Sequence, residues 1–150
     1  MRAVIQRVLS ATLEADGVSQ GTMGQGLLVL AGMKEGDDLS VMKYMLEKIA
    51  TMRIFEDENE HMNLSARDLS CSLYLVPNFT LYGDCRHGRR PGFSAGAPVR
   101  VAERLFAQFV DLARKEAGVP VYTGVFQAYM KIEPVLDGPV TLLLDSDKVF

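Results

Sequence analysis

The stretch Leu136-Asp137-Gly138-Pro139-Val140-Thr141 stands between two extended runs, Ala128 to Val135 and Leu142-Leu143-Leu144, and its reading decides how the sheet closes. Asp-Gly between extended segments is a strong hairpin signal. The following Pro, however, fixes its own φ, gives no N–H to a ladder and pushes Gly138 away from helical geometry. A plain two-residue hairpin is therefore disfavoured. What remains is a rigid Gly-Pro corner without a side chain on Gly138, able to bring backbone carbonyls close to another backbone or to a ligand. It is also a place where a cis peptide costs only about 0.5–1 kcal/mol. On these six residues alone, a tight surface turn is the better reading.

Outward from the corner, strand patterns dominate. Ala128, Met130 and Ile132 alternate against Tyr129, Lys131 and Glu133. The chain opens with another long alternation, Ala3, Ile5, Arg7, Leu9, Ala11 and Leu13 on one face against Val4, Gln6, Val8, Ser10, Thr12 and Glu14 on the other. Arg7 interrupts the apolar face, where a guanidinium must find acceptors. It either snorkels to the sheet margin, pairs with a carboxylate, or aims a donor fork at a site. Asp16-Gly17 predicts a type I′ turn into Val18-Ser19-Gln20. Gly26 to Gly32 and Ser72 to Val76 are continuous apolar runs expected as buried strands, with Arg53-Ile54-Phe55 and Val121-Tyr122-Thr123 as shorter ones. Pro77 to Asp84 keeps a strand-like composition.

Two helices complete the pattern. Asp37 or Asp38 can cap the first, with Leu39, Met42, Leu46 and Ile49 recurring to about Thr51. Pro98 suits the first residue of the second, with Val101, Leu105, Phe106, Phe109 and Leu112 inward and Gly118 and Pro120 as stop signals. The expected architecture is one domain over residues 1–150: an α/β mixture of about seven strands and two helices, its mostly antiparallel sheet curled into a barrel-like layer.

Composition narrows the function classes. The 150 residues are 48% hydrophobic and 23% charged, and no apolar run approaches the roughly 20 residues of a membrane span. Met1-Arg2-Ala3-Val4 lacks the apolar core of a signal peptide, so a cytoplasmic protein is expected. Cys71 and Cys85, with only His61 and His87 to join them, indicate neither a disulfide framework nor a metal site, and no cofactor motif is present: the glycines between 21 and 32 match no phosphate loop. A net charge of −3 argues against wholesale coating of nucleic acid but leaves room for a local patch. Arg86, His87, Arg89 and Arg90 form such a patch, beside Tyr82 and Phe93. It reads either as a solvated loop or as a contact for an RNA end, where stacking and phosphate neutralisation use these residue types together. No Ser-His-Asp set or GxSxG is apparent.

Arg2-Ala3-Val4-Ile5-Gln6-Arg7-Val8, Met62-Asn63-Leu64-Ser65, Phe79-Thr80-Leu81-Tyr82 followed by Arg89-Arg90-Pro91, and Asp137-Gly138-Pro139-Val140-Thr141 occur in this order along the chain. Together they resemble the D-aminoacyl-tRNA deacylases over the full length. The resemblance implies a homodimer that binds the 3′ end of an aminoacyl-tRNA, without metal or cofactor. It implies hydrolysis of the ester bond of D-aminoacyl-tRNA, and of glycyl-tRNA mischarged on tRNA-Ala, in translation quality control. Gly138 and Pro139, joined by a cis bond, would enter the partner subunit's site as a chiral filter whose carbonyls exclude L-amino acids. Backbone N–H groups around Phe79 and Thr80 would hold the oxyanion, and Thr80 would orient water or act as a nucleophile. Arg7 would donate to the carbonyls of the Gly-Pro loop, and Phe126 would line the terminal adenosine pocket.

Four residues depart from the family pattern. Pro77-Asn78 stands where Ser-Gln is usual, Leu136 where Asn precedes Asp-Gly-Pro, and Gln127 where Gly commonly follows Phe126. Pro77 removes a backbone donor and Asn78 is one methylene shorter than Gln, so a hydrogen bond toward substrate is lost or rerouted. The alternatives are a relative with altered chirality or tRNA preference, and a catalytically silent paralogue binding tRNA through the Arg86 to Arg90 patch.

Overall fold

The computed structural model describes residues 1–150. Its elements in chain order are β1 (Arg2–Ala15), β2 (Val18–Met23), β3 (Gly26–Gly32), α1 (Leu39–Thr51), β4 (Phe55–Glu56), β5 (Met62–Leu64), β6 (Ser72–Pro77), a 3-10 turn (Phe79–Tyr82), α2 (Val99–Glu116), β7 (Val121–Thr123) and β8 (Met130–Asp145). The alternation in the first fifteen residues produces β1, the strand against which most of the sheet is assembled. Asp16 (φ 48°) and Gly17 (φ 81°) both take the left-handed conformation of a type I′ turn, and Ala15 pairs with Val18 across it. β8 runs antiparallel along β1 from Ala15↔Met130 to Arg2↔Asp145. Since β8 occupies that edge, β3 and β2 divide the other, β3 on residues 2–8 and β2 on 11–15.

Beyond β3 the ladders change direction. β3 pairs parallel with β6, and β6 parallel with β7, because α1 and then α2 carry the chain back between them. The sheet is mostly antiparallel, as expected, but with two parallel ladders at its far side. It curls until β2 approaches β7: the Tyr74 hydroxyl donates to the Gly21 carbonyl at 3.3 Å, and a side chain on Gly21 would meet the Tyr122 ring at 3.6 Å. The result is a nearly closed, barrel-like sheet with two helices, as the sequence implied.

Two cores result. The larger, with Ile5, Leu27, Val29, Leu73 and Leu75, lies under both helices and takes Met42, Met45, Ile49, Phe106 and Phe109 from them. The smaller, with Val8, Ala11, Leu13, Leu28, Tyr74 and Val76, fills the opposite face. β3 and β6 are therefore buried on both faces, which is why they read as continuous apolar runs. The expected single face of β1 is broken: its register against β8 shifts on both sides of Val8, leaving Leu9 52% exposed and Val8 buried, so Ala11 and Leu13 serve the smaller core.

Asp38 caps α1, its carboxylate accepting from Val41 N–H at 2.9 Å; Leu39, expected inward, is exposed, and Met45 takes its place in the core. α2 begins at Val99, one residue later than expected, with Pro98 as the cap before it, and Gly118 (φ 75°) lies beyond its end. The short strand expected at Arg53-Ile54-Phe55 is Phe55–Glu56, pairing with β5. No helix is long and apolar enough to cross a membrane.

Candidate active site

The site begins where β6 stops. Pro77 has no N–H to extend a ladder, and the next residue, Asn78, anchors to the end of β3 by donating its own N–H to the Ala31 carbonyl at 2.8 Å. Its side chain then caps the residues beyond it: Asn78 Oδ1 accepts from Thr80 N–H at 3.2 Å and from the Thr80 hydroxyl. The chain accordingly winds into the turn Phe79–Tyr82, closed by Gly83 N–H donating to the Thr80 carbonyl at 2.9 Å. The strand-like composition of Phe79-Thr80-Leu81-Tyr82 gives way to the Asx cap. Of the two amides expected to hold an oxyanion, Thr80 N–H is thus committed to Asn78, while Phe79, first in the turn, has no acceptor within it.

Beside this turn is a cavity of about 510 Å³, lined by Pro77, Phe79, Phe93, Phe126 and Gln127 together with Ser94 and Gly96 to Pro98 of the loop before α2, and Val99 and Ala102 of α2. It lies at the carboxyl ends of the parallel strands β6 and β7, where Pro77 ends one and Phe126 and Gln127 follow the other. The Phe79 ring is 61% exposed and packs edge-on to Phe93 with centroids 5.3 Å apart. Gln127 holds φ 62°, a left-handed conformation that glycine adopts more readily. The structure thus brings Pro77, Phe79 and Phe126 together around one cavity. Phe93 as a wall and Asn78 as a cap were not foreseen; the Asn-x-Thr spacing, a cap signal, was the available clue to the latter.

Arg7, Gly138 and Pro139 form a separate group. β8 is one strand, not two segments meeting at a corner: between Thr141, opposite Gln6, and Leu136, opposite Val8, residues 137–140 loop away facing Arg7 alone. The Gly138–Pro139 bond is cis, and both residues are exposed. Arg7 is buried and holds this excursion from behind. Its Nη1 donates to the Ile54 carbonyl at 2.7 Å, its Nε lies 2.9 Å from Asp137 Oδ2, and its Nη2 3.8 Å from Glu56 Oε1. The Nε contact is an ion pair off the axis of a hydrogen bond, so Nε keeps no directional partner. This corrects the expected geometry: Arg7 grips the excursion through the Asp137 carboxylate, and its carbonyl acceptor is Ile54, just before β4. No residue of the excursion lines the cavity.

His61 and His87 are exposed, and neither has a catalytic partner. Tyr82 is buried, its hydroxyl unpartnered and its ring under the Arg2 guanidinium at 4.7 Å. Burial, then the nearby Asp37 and Asp145 carboxylates, push this phenol well above its ordinary range, so it is neutral. Arg86 bonds to the Asp84 carboxylate at 2.9 and 2.7 Å and holds it well below the usual carboxylate range.

Residues 4–145 match the family profile described as D-Tyr-tRNA(Tyr) deacylase. The chain is 52% identical to the D-aminoacyl-tRNA deacylase of Thermosipho africanus (strain TCF52B) and 52% identical to that of Clostridioides difficile (strain 630), each match covering 100% of both chains. Among solved structures, one described as c-Myc DNA Unwinding Element Binding Protein superposes with a TM-score of 0.89 at 33% identity, covering 97% of this chain and 98% of that one. A probable eukaryotic D-amino acid tRNA deacylase shares the fold with a TM-score of 0.76 at 18% identity, covering 95% and 97%. With a profile spanning nearly the whole chain and relatives matched end to end, the protein belongs to the D-Tyr-tRNA(Tyr) deacylase family.

Proposed function

We propose that the protein hydrolyses the ester bond of D-aminoacyl-tRNA in the cytoplasm, releasing the D-amino acid and tRNA. The observation that carries this reading is the cavity at the ends of β6 and β7, which sets aromatic walls beside an open turn amide. The terminal adenosine stacks among Phe126, Phe79 and Phe93, and the ester carbonyl lies toward Phe79 N–H. Water adds to the carbonyl carbon, the oxyanion takes the hydrogen bond from Phe79 N–H, and the ribose oxygen leaves with a proton. An aminoacyl ester is activated enough that oxyanion stabilisation and positioning supply most of what is needed. Thr80 orients the reaction, since its hydroxyl donates to the Asn78 amide oxygen, which is no base.

Chirality is read by a second copy. The Gly138–Pro139 excursion is exposed, braced by Arg7 and outside its own cavity, so it serves the cavity of a partner, where its carbonyls exclude an L side chain. This arrangement requires a homodimer. Glycine, lacking a side chain, passes the same filter, which admits glycyl-tRNA mischarged on tRNA-Ala as a second substrate.

The test is deacylation of matched D- and L-aminoacyl-tRNAs. Turnover of the D ester with the L ester spared is expected, and Thr80→Ala should retain measurable activity. Hydrolysis of neither ester, or of both equally, would overturn the reading; abolition of turnover by Thr80→Ala in an intact dimer would put covalent chemistry on the hydroxyl.

A further inference from the structure

The loop between the turn and α2 carries a feature that ester hydrolysis leaves unused. Asp84 and Gly92 bond to each other in both directions, Asp84 N–H to the Gly92 carbonyl at 2.7 Å and Gly92 N–H to the Asp84 carbonyl at 2.9 Å, closing residues 85–91 into a finger. All seven are exposed, and Gly88, at φ 70°, allows the bend within it. Arg86 is engaged by Asp84 at the base. Arg89 and Arg90 have no carboxylate within ion-pair distance, and neither has Arg100 in the first turn of α2, the helix that walls the cavity. Residues 84–100 thus hold one aspartate against four arginines, in a chain whose net charge is −3.

The finger is rooted at the cavity. Phe93 directly follows the closing pair, lines the cavity and packs on Phe79. An extended chain spans at most about 3.6 Å per residue, so the Arg90 backbone lies within about 11 Å of Phe93. A nucleic-acid strand carries one phosphate per roughly 3.4 Å of rise when stacked, so this is a reach of a few nucleotides. Unpaired guanidinium groups suit phosphate oxygens, which they bond in a planar, bidentate fork.

We infer that the finger is an RNA-backbone clamp, in which Arg89 and Arg90 neutralise phosphates of the unpaired 3′ strand just upstream of the esterified nucleoside. The location of that nucleoside rests on the deacylase reading; the affinity of the finger for the strand does not. The clamp adds affinity without reading bases.

The experiment compares the wild type with the double variant Arg89→Ala/Arg90→Ala on two substrates, D-aminoacyl-tRNA and the same D-amino acid esterified to adenosine, which carries no phosphate. A third arm measures binding of a labelled single-stranded RNA across a salt series. The ratio of KM for tRNA to KM for the nucleoside ester should rise on the order of tenfold in the variant. The log–log salt slope of RNA binding should flatten by about 1.4, the value for two single-strand phosphates. Arg89→Lys/Arg90→Lys should keep most of the slope, which separates lost charge from a misfolded loop. An unchanged ratio and slope, or equal losses on both substrates, would overturn the clamp. Failure of the wild type to hydrolyse either ester would overturn the deacylase reading instead, and the RNA-binding arm would still decide the clamp. A variant that loses affinity for an acidic peptide but not for RNA would assign the finger to a protein partner and overturn the inference.

Discussion

Asn78 shows how one methylene alters a site. Its short side chain reaches Thr80 N–H at 3.2 Å and takes it as a cap, where a glutamine would extend past that amide. Asn78→Gln, combined with Pro77→Ser, should free Thr80 N–H as a second oxyanion donor. One added hydrogen bond, about 0.5–1.5 kcal/mol, predicts a rise in kcat of roughly twofold to tenfold on D-aminoacyl-tRNA. An unchanged kcat in single-turnover assays would mean that the amide stays engaged. Gln127 makes the opposite trade. A left-handed conformation costs a non-glycine residue roughly 1–2 kcal/mol, and glycine's extra freedom in the unfolded chain costs about 0.5–1. Gln127→Gly should therefore stabilise the fold by up to about 1 kcal/mol, raising the urea midpoint, while KM for the aminoacyl-tRNA rises because a cavity wall is lost. A lower midpoint would show that the side chain, not the backbone, decides that position.

Among the elements, β3 and β6 set the tolerances. A side chain on Gly26 would begin 2.1 Å from the Ser72 carbonyl oxygen, backbone against backbone with nothing flexible to yield. Gly26→Ala should destabilise by about 3 kcal/mol or more, read as a loss in denaturant midpoint or of soluble protein, whereas Gly24→Ala, with open space around it, should cost far less. The elements were largely legible in sequence because periodicity records burial: β3, β6 and, apart from Leu39, both helices follow their apolar patterns, β1 is a strand whose expected single face breaks at Val8, and Asp16-Gly17 is the turn its dipeptide specifies. The turn at Phe79 was not legible, because its residues favour strands and the Asn78 cap overrides them. Nor was the cavity: Phe93 and Phe126 are more than thirty positions apart in sequence and meet only through the crossover of α2. Arg7 was legible as an anomaly whose partners a strand pattern cannot name, since Ile54 and Asp137 lie on distant parts of the chain.

At the scale of the molecule, the outer surface around the excursion is apolar: Leu9 and Val135 are each 52% exposed, and Leu136 is 45% exposed. Such a patch beside a protruding loop suits a self-complementary contact. Light scattering at micromolar concentration should give twice the 16.5 kDa of one chain, and Leu136→Asp should shift the population toward the single chain. A species of one chain's mass across that range would overturn the trans filter. The long pairing of β1 with β8 has a consequence for biosynthesis. On the ribosome β1 can fold onto β2 and β3 early, but one whole edge stays open until Met130–Asp145 emerges. At about 5–20 residues per second that wait is on the order of ten seconds, with a fourteen-residue strand exposing unpaired amides to any neighbouring nascent chain. Ribosomes that stall within the last twenty codons would therefore release products prone to cross-pair, and crowded polysomes should depend most on chaperones that shield that edge.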